Sequence, residues 1–372
     1  MAFRKRSDQH PSTDEIMTEV NSNDTKRKRS RNMIASWILP NKQRIVIGVL
    51  ISFVLFQIHQ LLSSVRLAEI YEVSVQINNS YVDITGIEDL ERRSKLIENR
   101  CYPGMEELCQ CEDPTIGVGR RGQRHWLKTS TENRDSVISI KDGVDVVFYG
   151  DSITEGWKGT SYGFANGRKD NNYAVFKSQF TLDGGGKFEG IPMGISGDRS
   201  PDLLWRLING GELPQSLSPA VYWLLIGTND MGWAWCSPEV TLIGILRVVE
   251  ELRAKKPGAF IVINGLLPRS FDSKGYLNRK NKIGIKHSTK NPPALWKDIQ
   301  AINAQLEEYS NTHDNIIYFY AGDLFMIDSL ASDESLQLDK NLMNDYLHPS
   351  AIGYKLWGDR IVEKLEELIK QP

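Results

Sequence analysis

The sequence predicts a doubly wound α/β domain, a parallel sheet with helices on both faces, preceded by a single N-terminal transmembrane helix. Three observations carry this expectation. First, five short apolar runs recur, at Val144 to Tyr149, near Phe188 to Gly194, at Val221 to Ile226, at Phe260 to Ile263 and at Ile316 to Tyr320. Second, helical patterns stand between and after them. Within Ser237 to Lys256, apolar Val240, Ile243, Leu246 and Val249 keep one face buried, and Ile361, Leu365, Leu368 and Ile369 do the same near the C-terminus. Such alternation of strand and helix argues for a parallel sheet buried on both faces. Third, the uncharged stretch from Ile45 to Val65 can cross a bilayer, since spanning takes about 20 residues.

With 40% hydrophobic and 25% charged residues, the 372-residue chain has globular composition and can bury a sizeable core in one large or two ordinary domains. A formal net charge of −2 gives no basis for a nucleic-acid partner. The sign is uneven along the chain. Residues 1–44 hold ten Lys or Arg against five Asp or Glu, including Lys26-Arg27-Lys28-Arg29, in a setting with little to bury. They are expected to form a disordered basic tail.

Residues 45–65 follow, their second half more polar, with Gln57, His59 and Gln60 interleaved, and a buried core helix or a cleavable signal peptide are the alternatives to a span. A cleaved signal peptide wants a short leading region and a small-x-small site, whereas here 44 residues precede and no such site clearly follows. The expectation is an uncleaved signal anchor. Basic residues crowd its N-terminal side, while Arg66 is the only basic residue from Ser63 to Leu90, which orients the tail to the cytoplasm as a single-pass type II protein. The remainder would lie in the secretory lumen (Golgi or ER) or outside the cell, where Asn78-Asn79-Ser80 makes Asn78 a glycosylation acceptor.

Residues 66–141, of mixed polarity, are expected to form a luminal stem ahead of the α/β domain at 142–372. The stem holds Cys101, Cys109 and Cys111, and Cys236 follows later. In an oxidising lumen these four form disulfides rather than a zinc site, since His125 adds too little to the ligand set; three pairings are open. Gly117-Val-Gly119-Arg-Arg-Gly122 has the spacing of a dinucleotide-binding fingerprint but follows Glu112-Asp-Pro-Thr rather than a strand, so it is expected to be a flexible loop binding no cofactor.

The chemistry gathers at the first strand. The run Val144 to Tyr149 stops abruptly at Gly150-Asp151-Ser152, where glycine permits a sharp exit and Ser152 begins a helix. There a hydroxyl meets a positive dipole end and backbone N–H groups, although Asp and Ser at this point often only cap a helix. A nucleophilic serine needs a base with an orienting carboxylate. Of six histidines, His10 falls in the tail, His59 in the anchor, His125 in the stem, His287 in a lysine-rich insertion and His313 in a polar turn. His348 remains, in Asp345-Tyr-Leu-His348-Pro349, where Asp345 can share one side of a turn with it and Pro349 suits a first helical position. Oxyanion donors are expected after the second and third strands: Gly197 in Gly194-Ile-Ser-Gly-Asp198 and the amide of Asn229 in Gly227-Thr-Asn-Asp230.

Gly150-Asp151-Ser152, Gly197, Asn229 and Asp345-x-x-His348, present in that order, resemble the four blocks of the SGNH, or GDSL, hydrolases. Within that superfamily, Gly194 to Leu207 and Asn264-Gly-Leu-Leu-Pro-Arg269 most resemble the catalytic subunits of the intracellular platelet-activating factor acetylhydrolases. The likeness runs roughly from Val144 to Ile369. It implies a flavodoxin-like five-stranded parallel sheet, a Ser152-His348-Asp345 triad, an oxyanion hole of Gly197, Asn229 and the Ser152 N–H, and neither metal nor cofactor. The absence of a Gly-x-Ser-x-Gly elbow argues against the α/β-hydrolase fold. The tail, anchor, stem and the basic stretch Lys274 to Lys290 have no counterpart in those subunits. The expected function is a membrane-anchored, lumen-facing serine esterase acting on an acylated lipid or acetylated glycan. An O-acyltransferase using the same triad and a vestigial, membrane-tethered binding protein are the rivals.

Overall fold

The computed structural model describes residues 81–369, apart from 121, 141–142, 168–169, 280–290, 328–331 and 333–334. All lie in one compact unit, Leu67–Pro372. The expected tail, the transmembrane stretch at 45–65 and Asn78 lie outside the described residues. Among the described residues no helix is long and apolar enough to cross a membrane.

In chain order the unit runs α1 (Ile87–Leu96), α2 (Arg124–Ile138), β1 (Val146–Gly150), α3 (Ser152–Glu155), a short hairpin of β2 (Thr160–Ser161) and β3 (Phe164–Ala165), α4 (Asp170–Phe180), β4 (Gly190–Gly194), α5 (Ser200–Ile208), β5 (Val221–Leu225), α6 (Thr228–Gly232), α7 (Pro238–Lys255), β6 (Phe260–Asn264), α8 (Trp296–Ser310), β7 (Ile316–Phe319) and α9 (Ala351–Ile369). Each of the five expected apolar runs holds one strand of the main sheet. Its order is β4-β1-β5-β6-β7, every neighbouring pair parallel. The chain therefore winds one way from β1 to β4 and the other way from β5 onward, and ligands of such sheets bind beyond the carboxyl ends of the strands where the winding reverses. Register sharpens this: Gly150 pairs with Gly194 on one side and Leu225 on the other, so β1, β4 and β5 end level. Their following loops share one edge.

Val146, Val147, Phe148 and Tyr149 are all buried, as a central parallel strand of β-branched and aromatic residues should be. One face carries α4 packed on α9, with Trp157, Phe176, Phe180, Tyr354 and Trp357 in mutual ring contact. The other carries α5 and α8 against α7. Ser237 caps α7 by accepting the Val240 N–H at 3.3 Å, and Pro238 fills a first-turn position.

Helix α7 departs from the amphipathic expectation. Every residue from Val240 to Leu252 is buried, charged ones included. The cause is the segment read as a stem. Helix α1 packs on α7, the Tyr81 hydroxyl donates to Glu239 at 3.1 Å, and Arg247 pairs with Glu251 at 2.9 Å within the covered face. Residues 81–138 thus pack into the same unit as the sheet. Their apolar anchors, Tyr81, Ile84, Leu90 and Trp126, are single residues in polar surroundings and set up no sustained pattern. The open question of disulfide pairing resolves to Cys101–Cys109 and Cys111–Cys236, the second tying this segment to the loop after α6. Around it, Tyr102 N–H donates to Trp235 O at 2.7 Å and Gln110 N–H to Ala234 O at 2.8 Å.

The glycine-rich stretch is likewise packed rather than loose. Val118 N–H donates to Pro201 O at 2.9 Å, and a side chain at Gly117 or Gly119 would collide with Trp205 of α5. Two glycines spaced by one residue here serve close approach to a helix, not to a pyrophosphate.

Candidate active site

Strand β1 ends at Gly150, where a Cβ would collide with Leu225 O and the Thr154 hydroxyl; close packing against β5 and α3, more than an unusual dihedral, demands the glycine. Asp151 then caps α3, accepting the Ile153 N–H at 2.8 Å. Helix α3 has only four residues, so few aligned peptides stand behind Ser152, and the dipole contribution expected from sequence is small. From α9, the Tyr354 hydroxyl donates to Ile153 O at 2.6 Å and pins this short turn.

Ser152 Oγ lies 2.9 Å from His348 Nε2, and His348 Nδ1 lies 2.8 Å from Asp345 Oδ2. Asp345 and His348 sit on a bend ahead of α9, and Pro349 precedes the helix rather than opening it. The capping residue is Ser350, whose Oγ accepts the Gly353 N–H at 3.2 Å. The bend is held by Asp345 itself: Oδ1 accepts the N–H of Leu347 at 3.1 Å and of His348 at 2.8 Å, leaving Oδ2 for the imidazole. Burial opposes ionisation of Asp345, but these bonds and the neighbouring His348 hold its carboxyl down to about 2. It is therefore an anion at neutral pH, able to fix the imidazole tautomer with Nε2 as acceptor for the serine proton. The other described histidines lie elsewhere: His125 stands edge-on to Phe164, and His313 bonds the carbonyls of Tyr309 and Ile84.

Gly197, after β4, has φ of 76°, a left-handed conformation that glycine takes without strain. It lines, with Ser152, His348 and Asp345, a cavity of about 430 Å³ whose other walls include Ser161, Asn166, Ser196, Asn344 and Ser350. No large apolar side chain is among the lining residues. Asn229 sits at the start of α6, but its Nδ2 donates to Asp198 O at 2.9 Å, and it does not line that cavity. An amide nitrogen carries two hydrogens and this bond uses one, so a donor remains.

Two residues that sequence patterning did not single out organise these loops. Glu155 is fully buried, and its carboxylate accepts from Ser196 N–H at 2.7 Å, Ser196 Oγ at 2.6 Å, Tyr162 N–H at 3.0 Å, Gly163 N–H at 2.7 Å and Thr160 Oγ1 at 2.9 Å. It stitches the β2–β3 hairpin to the Gly197 loop. Arg269, in the Asn264–Arg269 stretch, is buried and donates to Thr228 O at 2.8 Å, just before Asn229; burial lowers its pKa to about 10, against the pull of Asp151 and Asp345. A glutamate three residues after a Gly-Asp-Ser turn is a signal, yet nothing local shows what it receives.

Burial alone would raise the Glu155 pKa, but its hydrogen bonds outweigh burial and hold it below the usual value. A depressed folded value gives stability that is present above the unfolded value, near 4.3, and lost as pH falls through the folded one. The melting temperature of the wild type should therefore fall more steeply than that of Glu155→Gln between about pH 5 and 3, the two curves converging in acid. Parallel curves would exclude Glu155 as the titrating group.

A hydroxyl, an imidazole and a carboxylate in one hydrogen-bonded line, on a cavity shared with Gly197 at the carboxyl edge of a parallel sheet, define the class as a serine hydrolase. The model of the GDSL-like lipase/acylhydrolase family matches residues 148–356, and the chain belongs to that family. It is similar to platelet-activating factor acetylhydrolase IB subunit alpha2 of Rattus norvegicus, at 26% identity over 252 residues, covering 68% of this chain and 86% of that protein. Subunit alpha1 of Homo sapiens is 29% identical over 241 residues, covering 65% and 83%. Among solved structures, a GDSL-like lipase from Bacteroides thetaiotaomicron is similar at 23% identity and a TM-score of 0.45, over 65% of this chain and 97% of that one.

Proposed function

We propose that the chain is a membrane-anchored, lumen-facing serine esterase that removes a short acyl group from a polar alcohol, an acetylated glycan being the favoured substrate class. The observation that carries the chemistry is the Ser152–His348–Asp345 hydrogen-bonded line opening on a cavity beside Gly197. His348 Nε2 takes the Ser152 proton as Oγ attacks the ester carbonyl. The oxyanion is held by the N–H groups of Gly197 and Ser152 and by the amide of Asn229. The imidazolium, steadied by Asp345, protonates the departing alcohol. Water then repeats the sequence on the acyl-enzyme and frees the serine.

The walls support a small acyl group and a polar leaving group. Hydroxyls and amides from Ser161, Asn166, Asn344 and Ser350 favour a hydroxylated leaving group, and a cavity without large apolar side chains offers a long acyl chain little to bury against. The acetylhydrolase name of the rat and human relatives supports a short acyl group. Residues 1–44 are proposed as cytoplasmic tail and 45–65 as anchor, with 66–141 leading into the hydrolase domain at 142–372. Two disulfides favour an oxidising compartment, and Asn78 is its glycosylation candidate.

The test uses the full-length chain and a fluorophosphonate probe, followed by a panel of short-chain aryl esters, acetylated polysaccharides and phospholipids. Covalent labelling that Ser152→Ala abolishes, with turnover highest on the acetylated polysaccharides, is the expected result. Labelling equal in the two proteins would sink the mechanism; labelling with turnover confined to phospholipids would sink the substrate class.

A further inference from the structure

The glycine-rich stretch before α2 delivers one side chain to the site. Arg120 is 11% exposed, and its Nη1 donates to Ser196 O at 3.0 Å. The same nitrogen lies 3.4 Å from Asp198 Oδ1, while Nη2 donates to the Tyr162 hydroxyl at 3.2 Å with the guanidinium 5.6 Å from the ring centre. Tyr162 has φ of 52°, and its N–H is held by Glu155. Ser196 is therefore gripped at both ends, its N–H and hydroxyl by the Glu155 carboxylate and its carbonyl by Arg120. A Cβ on Gly197 would stand 3.1 Å from the Tyr162 hydroxyl and 3.3 Å from Arg120 Nη1, so this grip closes directly over the glycine.

We propose that Arg120 is a positioning residue for the oxyanion donor at Gly197. The Ser196 carbonyl and the Gly197 N–H belong to one planar trans peptide and point in opposite directions. A cation fixed on the carbonyl oxygen sets the plane of that peptide and so aims the N–H. It also draws electron density toward the oxygen, leaving the N–H a stronger donor, an effect little screened at a largely buried site. A planar fork meets Ser196, Asp198 and Tyr162 at once, which an ammonium on a flexible stem does not. The proposal rests on reading Gly197 N–H as an oxyanion donor in a serine esterase.

The test compares Arg120→Met, Arg120→Lys and Arg120→Ala in the full-length chain on a short-chain aryl ester. Losing an oxyanion donor outright costs about a hundredfold to a thousandfold in kcat, so losing its alignment should cost about tenfold to a hundredfold, with KM changed less than about twofold. Lysine should restore part of kcat, and added guanidinium should restore part of it in Arg120→Ala. If the wild type neither labels nor turns over, the esterase reading itself fails. If wild type and Ser152→Ala behave as proposed but Arg120→Met keeps kcat within about twofold of wild type, the role of Arg120 is overturned. A fall in kcat matched by a fall in melting temperature, with no recovery from lysine or guanidinium, also overturns it.

Discussion

Replacing Ser152 with alanine should lower kcat on a short-chain aryl ester by about a millionfold, and replacing His348 with alanine should cost nearly as much. The reasoning is geometric. His348 Nε2 is 2.9 Å from Ser152 Oγ, and either member alone leaves no activated nucleophile. The double variant should therefore be no worse than Ser152→Ala, because the two residues act as one unit. Asp345→Asn should cost less, about 10⁴-fold, because the imidazole stays in place while its tautomer preference reverses. Oδ1 also holds the Leu347 and His348 N–H groups, so the asparagine variant keeps the bend only if its own carbonyl oxygen takes that position. Steady-state and single-turnover kinetics on matched preparations would measure the series. Additive losses in the double variant, or Ser152→Ala retaining more than about one part in a thousand, would exclude a shared mechanism.

What could be read from the chain, and what could not, divides by range. Buried parallel strands are short and apolar throughout, so Val146 to Tyr149 and Val221 to Leu225 announce themselves, and strand ends then locate Ser152, Gly197 and Asn229. Asp345 and His348 are legible because the two lie three residues apart and are adjacent in space. The contacts of Arg120 and Arg269 are not, since their partners lie far off in sequence; Arg120 meets Ser196 across 76 residues and Arg269 meets Thr228 across 41, and Glu155, though it also bonds the nearby hairpin, reaches the Gly197 loop only through Ser196, 41 residues on. Spacing rules describe turns, helices and strands, and say nothing of which buried cation will find which carbonyl. Helix α7 misleads for a related reason. Its sequence shows one apolar stripe, but neighbouring elements bury the polar side too: Tyr81, ahead of α1, bonds Glu239, and Tyr309 of α8 bonds Glu250. Asn229 is partly legible: its position follows from the motif, its bond to the Asp198 carbonyl does not.

The largest loss of stability should come from Arg206→Met. Arg206 is fully buried, and its five N–H donors have five acceptors: Glu212 Oε1 at 2.9 Å, Glu212 Oε2 at 2.6 Å, Asp198 Oδ2 at 2.8 Å, Gly150 O at 3.2 Å and Met193 O. The two carbonyls are the last on β1 and the next to last on β4, so one side chain ties together the strand ends that present Ser152 and Gly197. Asp198 is raised by burial against the pull of Arg206, yet Trp126 Nε1 at 2.5 Å and Arg120 donate to its other oxygen. Burial and the nearby Asp202 carboxylate push it up to about 7, while every side-chain hydrogen-bond partner is a donor and favours the ionised form. Methionine fills similar space but leaves two buried carboxylates and two carbonyls without their partner. Removing one member of a buried ion pair costs about 3 to 5 kcal/mol, which for a unit of this size lowers the melting temperature by about 10 °C. Neutralising the acids in the same protein, as Asp198→Asn with Glu212→Gln, should recover part of that loss, because uncompensated charge rather than lost volume is the cost. Thermal unfolding of the single and triple variants decides the point: a triple variant no more stable than Arg206→Met would assign the loss to packing and to the two strand carbonyls instead.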